Sequence, residues 1–568
     1  MLLALPICAQ TNLIPAETYA DDIWSGTNLV RNTVIIHSNA VVRIMAGSSI
    51  LMGAGATLIV HGKLLAEGTE SAPIYFTRAA AGQRWRGVRF IYSRENRFAH
   101  CVFEYADSAG SHLDYYDDDC NAATPPPPRD YHEAIVAIAS SIDFEDCLFQ
   151  NLLDSSGEGE GDAIAIISDD PQFPGSASAH VNRCRFISIG QGIHTRFSHV
   201  LVENSFFTGH NGDNDDIDMY GESNPPPLIR SNVFLNPNHD DMINPTRCSA
   251  VIVGNVVSGG DDHGIVLRDE CSPIVMNNFI SNCESGGISV QNQCDALIAN
   301  NTIVNCGRGI RLFDHDGRWD EPYCLSPGSG RATVINTLIW DCDESLTLAD
   351  SPFTGDRGSH VTVSYSNIEG GRASAAVSAN STLTWGEGNR DVNPQFDSEF
   401  RLLSGSPLID AGTNIVSEYS RPLDGDGDGT PTPDIGAHEF LLASADSNGD
   451  GIPDGWLDRF GLDPLDTNIG SLDLDGDGPT TAQEWIADTD PGHPTSVLTL
   501  ELPAASNSVQ FRSSSNRVYT VEFTTNLLSR TWTPLPKSSN YHGLFSLPLI
   551  STNRDKFYRV KVELPSLP

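Results

Sequence analysis

Positive charge is scarce in this chain. It has 34 Lys and Arg against 74 Asp and Glu, for a net charge of -40. So acidic a surface repels phosphate backbones and anionic lipid, which argues against nucleic acid and membrane surfaces as partners. Long apolar runs are missing too. Nowhere does the sequence hold the ~20 consecutive apolar residues that a membrane-spanning helix needs. The first ten residues, Met1 to Gln10, lack a basic segment but otherwise read as the end of a signal peptide cut after Ala9. That reading places the protein outside the cell, with attachment to the cell surface left open. It also removes Cys8 from the 12 cysteines, and the odd remainder cannot pair completely.

What is present points to turns and repetition. Gly (50) and Pro (34) imply many corners, while 39% apolar residues exclude wholesale disorder. At 568 residues the chain should hold more than one domain. Val251-Ile252-Val253-Gly254-Asn255, Ile274-Val275-Met276-Asn277-Asn278 and Leu297-Ile298-Ala299-Asn300-Asn301 repeat every 23 residues, and Asn232 lies one period upstream. Cys248, Cys271 and Cys294 keep that period. A second strand follows in each unit, at Ile265-Val266-Leu267, Ile288-Ser289-Val290 and Ile310-Arg311-Leu312. Such a unit cannot bury its apolar face alone, but stacking at about 4.8 Å per coil builds one core and piles like residues into ladders. The cysteine ladder is expected to pack inward as small apolar side chains, with a disulfide between neighbouring rungs as the alternative. Weaker copies at Cys101, Cys147 and Cys184 extend the array, with a polar excursion over 106–130 expected to overhang one face.

Both ends of the array resemble bacterial right-handed parallel β-helix proteins. The residues that carry this are Leu58-Ile59-Val60-His61-Gly62-Lys63-Leu64 with Pro73-Ile74-Tyr75-Phe76-Thr77 at the start, and Ser406-Pro407-Leu408-Ile409-Asp410-Ala411-Gly412 with Asp434-Ile435-Gly436-Ala437 at the end. The expected fold is all-β. A lead-in over 1–19 precedes a right-handed β-helix solenoid over 20–440. An acidic module over 441–494 and a small C-terminal β-sandwich over 495–568 follow.

Within the acidic module Asp473, Asp475, Asp477, Gly478 and Glu484 match the loop in which carboxylates at fixed offsets enclose Ca²⁺. A second loop, Asp446, Asn448, Asp450 and Asp454, is an incomplete match because Leu457 stands where the closing carboxylate belongs. The stretch resembles thrombospondin type 3-like and dockerin-like repeats, which implies structural calcium that stiffens a spacer.

Ionisable residues crowd three successive coils, at Asp213 to Asp218, His239 to Ile243 and Asp261 to Ile265. Crowded carboxylates raise one another's pKa, so one can be an acid while its neighbour is a base. Asn214-Asp215-Asp216, Asp240-Asp241, Asp262-His263-Gly264 and Arg311-Leu312-Phe313 resemble the strand motifs of polygalacturonase-type β-helix hydrolases. The resemblance implies catalytic roles for Asp215, Asp240, Asp241, His263 and Arg311. His194, Arg196, Asp218, Tyr220 and Arg268 are the expected substrate-binding residues, with Tyr220 and Tyr115-Tyr116 as sugar platforms. Two functions stand. One is a monomeric, secreted hydrolase or lyase acting on an extracellular polysaccharide or cell-surface glycan. The other is a non-catalytic, calcium-stiffened surface or adhesion rod whose acidic turns form a ladder.

Overall fold

The computed structural model describes residues 11–107, 133–152, 161–168, 175–209, 215–235, 241–314, 328–350, 358–415, 417, 419, 422–442, 444–501, 508–514, 517–529, 531–535, 543–548 and 556–564. The signal-peptide segment, most of the 106–130 excursion with Tyr115 and Tyr116, and Asp213, Asn214, His239 and Asp240 lie outside them. The chain divides into two compact units, Met1–Pro422 with Thr432–Glu439, and Leu423–Pro431 with Phe440–Pro568. Among the described residues no helix is long and apolar enough to cross a membrane.

The first unit is a right-handed parallel β-helix. Three parallel sheets of 14 strands each run its length, and every third strand in chain order joins the same sheet. Each coil therefore gives one strand to each sheet, three in all. The cause is the alternation along each strand, as in Val41–Met45, where Val42 and Ile44 point inward and Arg43 and Met45 outward. In-register pairing then stacks like on like. Phe76, Phe103, Phe149, Phe186, Phe207 and Phe234 form one inward column with ring centroids 4.5 to 4.9 Å apart.

The asparagine ladder is the corner between the third sheet and the first. Cys184 N–H donates to Ser205 Oγ (3.0 Å), Ser205 N–H to Asn232 Oδ1 (2.9 Å), and the bond repeats through Asn255, Asn278 and Asn301. Each Asn Nδ2 also donates across the coil, Asn278 to Ile252 O and Met276 O at 2.9 Å. All four are buried, so these bonds replace water. Asn278→Ala should leave the buried Asn255 N–H without an acceptor, while Met276 O still accepts from Gly254 N–H, a loss of roughly 1–3 kcal/mol for the one orphaned group. A denaturant midpoint unchanged from the parent would refute that role. The nine described cysteines are free thiols, and eight of them are buried.

The coils start earlier and stop sooner than 20 and 440. Thr11–Leu13 already pairs in register with Thr27–Leu29, and the last coil strand is Thr382–Trp385. The chain then returns along the outside of the coils. Leu408, Ala411 and Ile435 cover Leu338, and Ile415 and Tyr419 cover Val251, Val253 and Met276. The motif at 406–412 and 434–437 is thus a strap over outward apolar residues.

In the second unit, helices Asp454–Arg459 and Thr481–Ala487 flank a core of Ile452, Trp456, Leu457 and Ile469. Beyond them stand two small antiparallel sheets. Ser508–Ser513 pairs with Gly543–Pro548, and Val518–Thr524 lies between Thr533–Pro534 and Phe557–Glu563.

Candidate functional site

The second sheet is buried on both faces in its middle coils. Ile164–Ile167, Ile193–Arg196, Ile217–Tyr220 and Ile243–Thr246 are buried at every residue, so polar side chains pointing outward there lie in a covered seam. Register decides what meets. Ile217 pairs with Ile243, and Ile243 with Ile265. Asp215, Asp241 and His263, each two positions earlier, therefore share one column, which continues through Gly286 to Arg308 and Glu344. The next column brings His194 beside Asp218 and Asp218 beside Asn244.

Asp241 is the centre of the tightest cluster. Its Oδ1 accepts from the His263 backbone N–H at 3.2 Å and lies 3.2 Å from His263 Nδ1. Its Oδ2 accepts from Arg268 Nη2 at 2.8 Å. Asp262 Oδ1 adds a second carboxylate to His263 Nδ1 at 2.8 Å. Burial pushes the imidazole down, but the hydrogen bonds and charges of Asp241 and Asp262 outweigh it, and His263 is raised to about 9. Burial pushes Asp262 up, and His263 overcomes that to lower it to about 2. At neutral pH His263 is an imidazolium, and its buried Nε2 has no hydrogen-bond partner. Asp241, Asp262 and His263 can each turn one atom to a shared metal ion. With Arg268 and the imidazolium in place, however, the cluster already carries its own positive charge.

Upstream the seam is closed. His194 Nδ1 lies 3.4 Å from Glu133 Oε1, and His194 and Arg196 are fully buried. Burial raises Asp218 against the pull of His194, Arg268 and Arg196. Asp215 Oδ2 accepts from Asn244 Nδ2 at 2.8 Å. Tyr220 presents no open ring face. It is 6% exposed, meets Phe197 edge-on and has Arg247 Nη1 at 3.2 Å from its hydroxyl. His194, Arg196, Asp218 and Tyr220 are thus packed beneath the surface, out of reach of a polymer lying on it. The reason is the double burial of this sheet, which strand patterning alone does not reveal. Glu133, 61 residues from His194, went unpredicted, and no sequence signal ties the two together.

Downstream the seam opens. Arg268, Asp262, Arg308 and Glu344 are partly or well exposed, and Arg308 Nε donates to Glu344 Oε2 at 3.2 Å. Arg311 lies with its guanidinium 3.8 Å from the Phe313 ring centre. Burial, then repulsion from Arg308, lowers its pKa. Arg311 Nε is buried without a hydrogen-bond partner, and no described carboxylate forms an ion pair with this arginine.

In the second unit, Asp473, Asp475 and Asp477 bring oxygens within 4.8 Å of one another. Gly478 makes the bend at φ 114°, and its N–H donates to Asp473 Oδ2 at 3.1 Å. Asp475 Oδ2, both Asp477 oxygens and Glu484 Oε2 are buried with no hydrogen-bond donor. Burial, then the charges of Asp475 and Asp477, pushes Glu484 up to about 7. Converging orphaned carboxylate oxygens fit a hard divalent cation. The other loop differs. Asp446 accepts from Gly449, Asp450 and Gly451 N–H groups, Asn448 Nδ2 donates to Asp450 and to Asp466 O, and both Asp454 oxygens accept from Ser447. Its own chain already satisfies those groups.

Residues 172–320 match the family described as right-handed β-helix region. A comparison with curated proteins gives no match. Among solved structures, a PL6 family alginate lyase, AlyGC, is similar at TM-score 0.41 and 14% identity, over 70% of this chain and 56% of that one. The periplasmic alginate epimerase AlgG is similar at TM-score 0.31 and 11% identity, over 63% and 77%. Pectate lyase Pel9A is similar at TM-score 0.29 and 14% identity, over 71% and 88%. The chain thus spans little more than half of the alginate lyase's length.

Proposed function

We propose that this β-helix protein acts outside the cell on an acidic polysaccharide, held at the open, downstream end of the second-sheet seam. The observation that carries the reading is Arg311. A chain with net charge -40 keeps this arginine beside Arg308, its Nε buried and unbonded, with no described carboxylate paired to it. A carboxylate or sulfate on a sugar supplies the missing partner. Coils about 4.8 Å apart suit a polymer laid along the axis.

The chemistry belongs to the cluster one step upstream. Asp241 and Asp262 hold the Nδ1 side of His263, and the unbonded Nε2–H, covered in this structure, protonates a departing glycosidic oxygen once substrate binding uncovers it. Arg268 steadies Asp241 from the other side and offsets negative charge on the bound sugar. In the acidic module Asp473, Asp475, Asp477 and Glu484 would hold Ca²⁺, which neutralises their charge and rigidifies the loop. The buried upstream half of the seam is what favours the rod reading, since there the ions only balance one another.

The test is a panel of uronic-acid, sulfated and neutral polysaccharides, followed by reducing ends and by the absorbance of unsaturated products. Reducing ends alone mark hydrolysis, and both signals together mark elimination. Arg311→Ala should weaken binding of acidic polymers at least about tenfold, the scale of one charge-assisted hydrogen bond, and leave the melting temperature nearly unchanged. No binding anywhere in the panel would favour the non-catalytic rod.

A further inference from the structure

The candidate cation loop and the two small sheets of the second unit share one short helix. Glu484 sits in Thr481–Ala487, fully buried, with Oε2 lacking a hydrogen-bond donor and its carboxyl near enough to feel the charges of Asp475 and Asp477. The other end of that helix is held by Arg517. Its Nε donates to Ile486 O at 2.8 Å and its Nη2 to Trp485 O at 2.5 Å, while its guanidinium lies 4.3 Å from the Trp485 ring centre. Arg517 is 3% exposed and leads directly into the strand Val518–Thr524. Nearby, Ser514 donates its Oγ–H to Asp488 and its N–H to the Tyr519 hydroxyl. Tyr519 belongs to the buried core of the sheets, with Val509, Phe511 and Val521.

Neither part is strong alone. A seven-residue helix is too short to persist in water without tertiary support, and its last carbonyls need donors. Among the described residues, four buried side chains, Val509, Phe511, Tyr519 and Val521, form the core of two sheets of two and three strands. We propose that Arg517 couples cation binding at the Asp473–Glu484 loop to the folding of the two small sheets, so that the C-terminal β region is ordered only when the loop is loaded. This rests on the calcium reading above. With the loop empty, the Asp475 and Asp477 carboxylates repel Glu484 in the helix, and the carbonyls that Arg517 grips lose their frame. Coupling is reciprocal, so loss of Arg517 should in turn weaken the cation.

Hydrogen–deuterium exchange on the full chain, in calcium chloride or in chelator, tests this. Calcium should slow exchange about tenfold, both in peptides over 473–489 and in the strands at 508–513, 518–524 and 557–563. In Arg517→Ala calcium should slow only the loop peptides, and more of it should be needed. Glu484→Gln, which has nearly the same shape, should blunt both responses together. Strands equally protected in chelator, with a loop that responds, would overturn the coupling and spare the calcium reading. A loop that ignores calcium would overturn both. Should Arg517→Ala not fold even in calcium, the wild-type comparison and Glu484→Gln still decide.

Discussion

Asp241→Ala should lower the stability of the β-helix by roughly 3–5 kcal/mol and reduce turnover of an acidic polysaccharide at least about a hundredfold. The stability loss follows from what would remain. The Asp241 side chain is 1% exposed and faces the His263 ring, 7% exposed, and the Arg268 guanidinium, 18% exposed. Removing the carboxylate leaves the His263 and Arg268 cations close together with Asp262 still on His263 Nδ1, and stripping one partner from a largely buried ion network costs more than the net worth of the pair. The activity loss follows from geometry. His263 loses one of the two carboxylates that hold its Nδ1 side, and with it the orientation of Nε2. Asp241→Asn separates the causes, since it keeps the volume and discards the charge. Denaturant unfolding and a reducing-end assay read the two effects. A variant as stable and as active as the parent would remove Asp241 from the site altogether.

The second large effect is a dependence on alkaline pH. His263 is raised from 6.5 to about 9 in the folded protein, so the native state holds this proton more tightly than the unfolded chain does. Its contribution is complete below pH 6.5 and disappears as pH climbs through about 9. It amounts to about 3 kcal/mol at most, from 1.36 kcal/mol for each tenfold difference in proton affinity. The partner Asp262, lowered to about 2, contributes in the opposite sense, with stability lost only in strong acid as pH falls from about 4 toward 2. If His263 delivers the proton, activity should fall over the same alkaline window. Unfolding midpoints between pH 6 and 10, for the parent and His263→Asn, measure the first effect, and a rate profile measures the second. A parent curve parallel to that of His263→Asn would mean that the proton is not held there.

Much of the fold was legible because a solenoid writes its periodicity into the chain. Asn232, Asn255, Asn278 and Asn301 recur at the spacing of a coil, and each does bond to the next. The site was legible only in part. Asp241, His263 and Arg268 come together because a single coil of ordinary length, 22 residues, separates Asp241 from His263, and Arg268 follows on His263's own coil, a distance that counting can reach. Glu133 escaped because the two coils between it and His194 run 29 residues each, Ile135 pairing with Ile164 and Ile164 with Ile193, so a count at the 23-residue period misses it. The burial of Tyr220 was illegible for another reason. An aromatic that points out of a strand looks exposed unless one knows what covers the sheet.

By itself the sequence determined the coil, its ladders, the all-β class and the acidic loop with its carboxylate spacing, since each depends on offsets within one or two turns of chain. Only the tertiary structure decided which strands share a sheet, where the coils end, and that the segment beyond Trp385 is a strap. It also decided that the second sheet is covered on both faces, so that His194 and Arg196 balance charge inside while Arg308 and Arg311 face the opening. Burial and charge pairing are properties of residues distant in sequence, and they appear only once the coils are stacked.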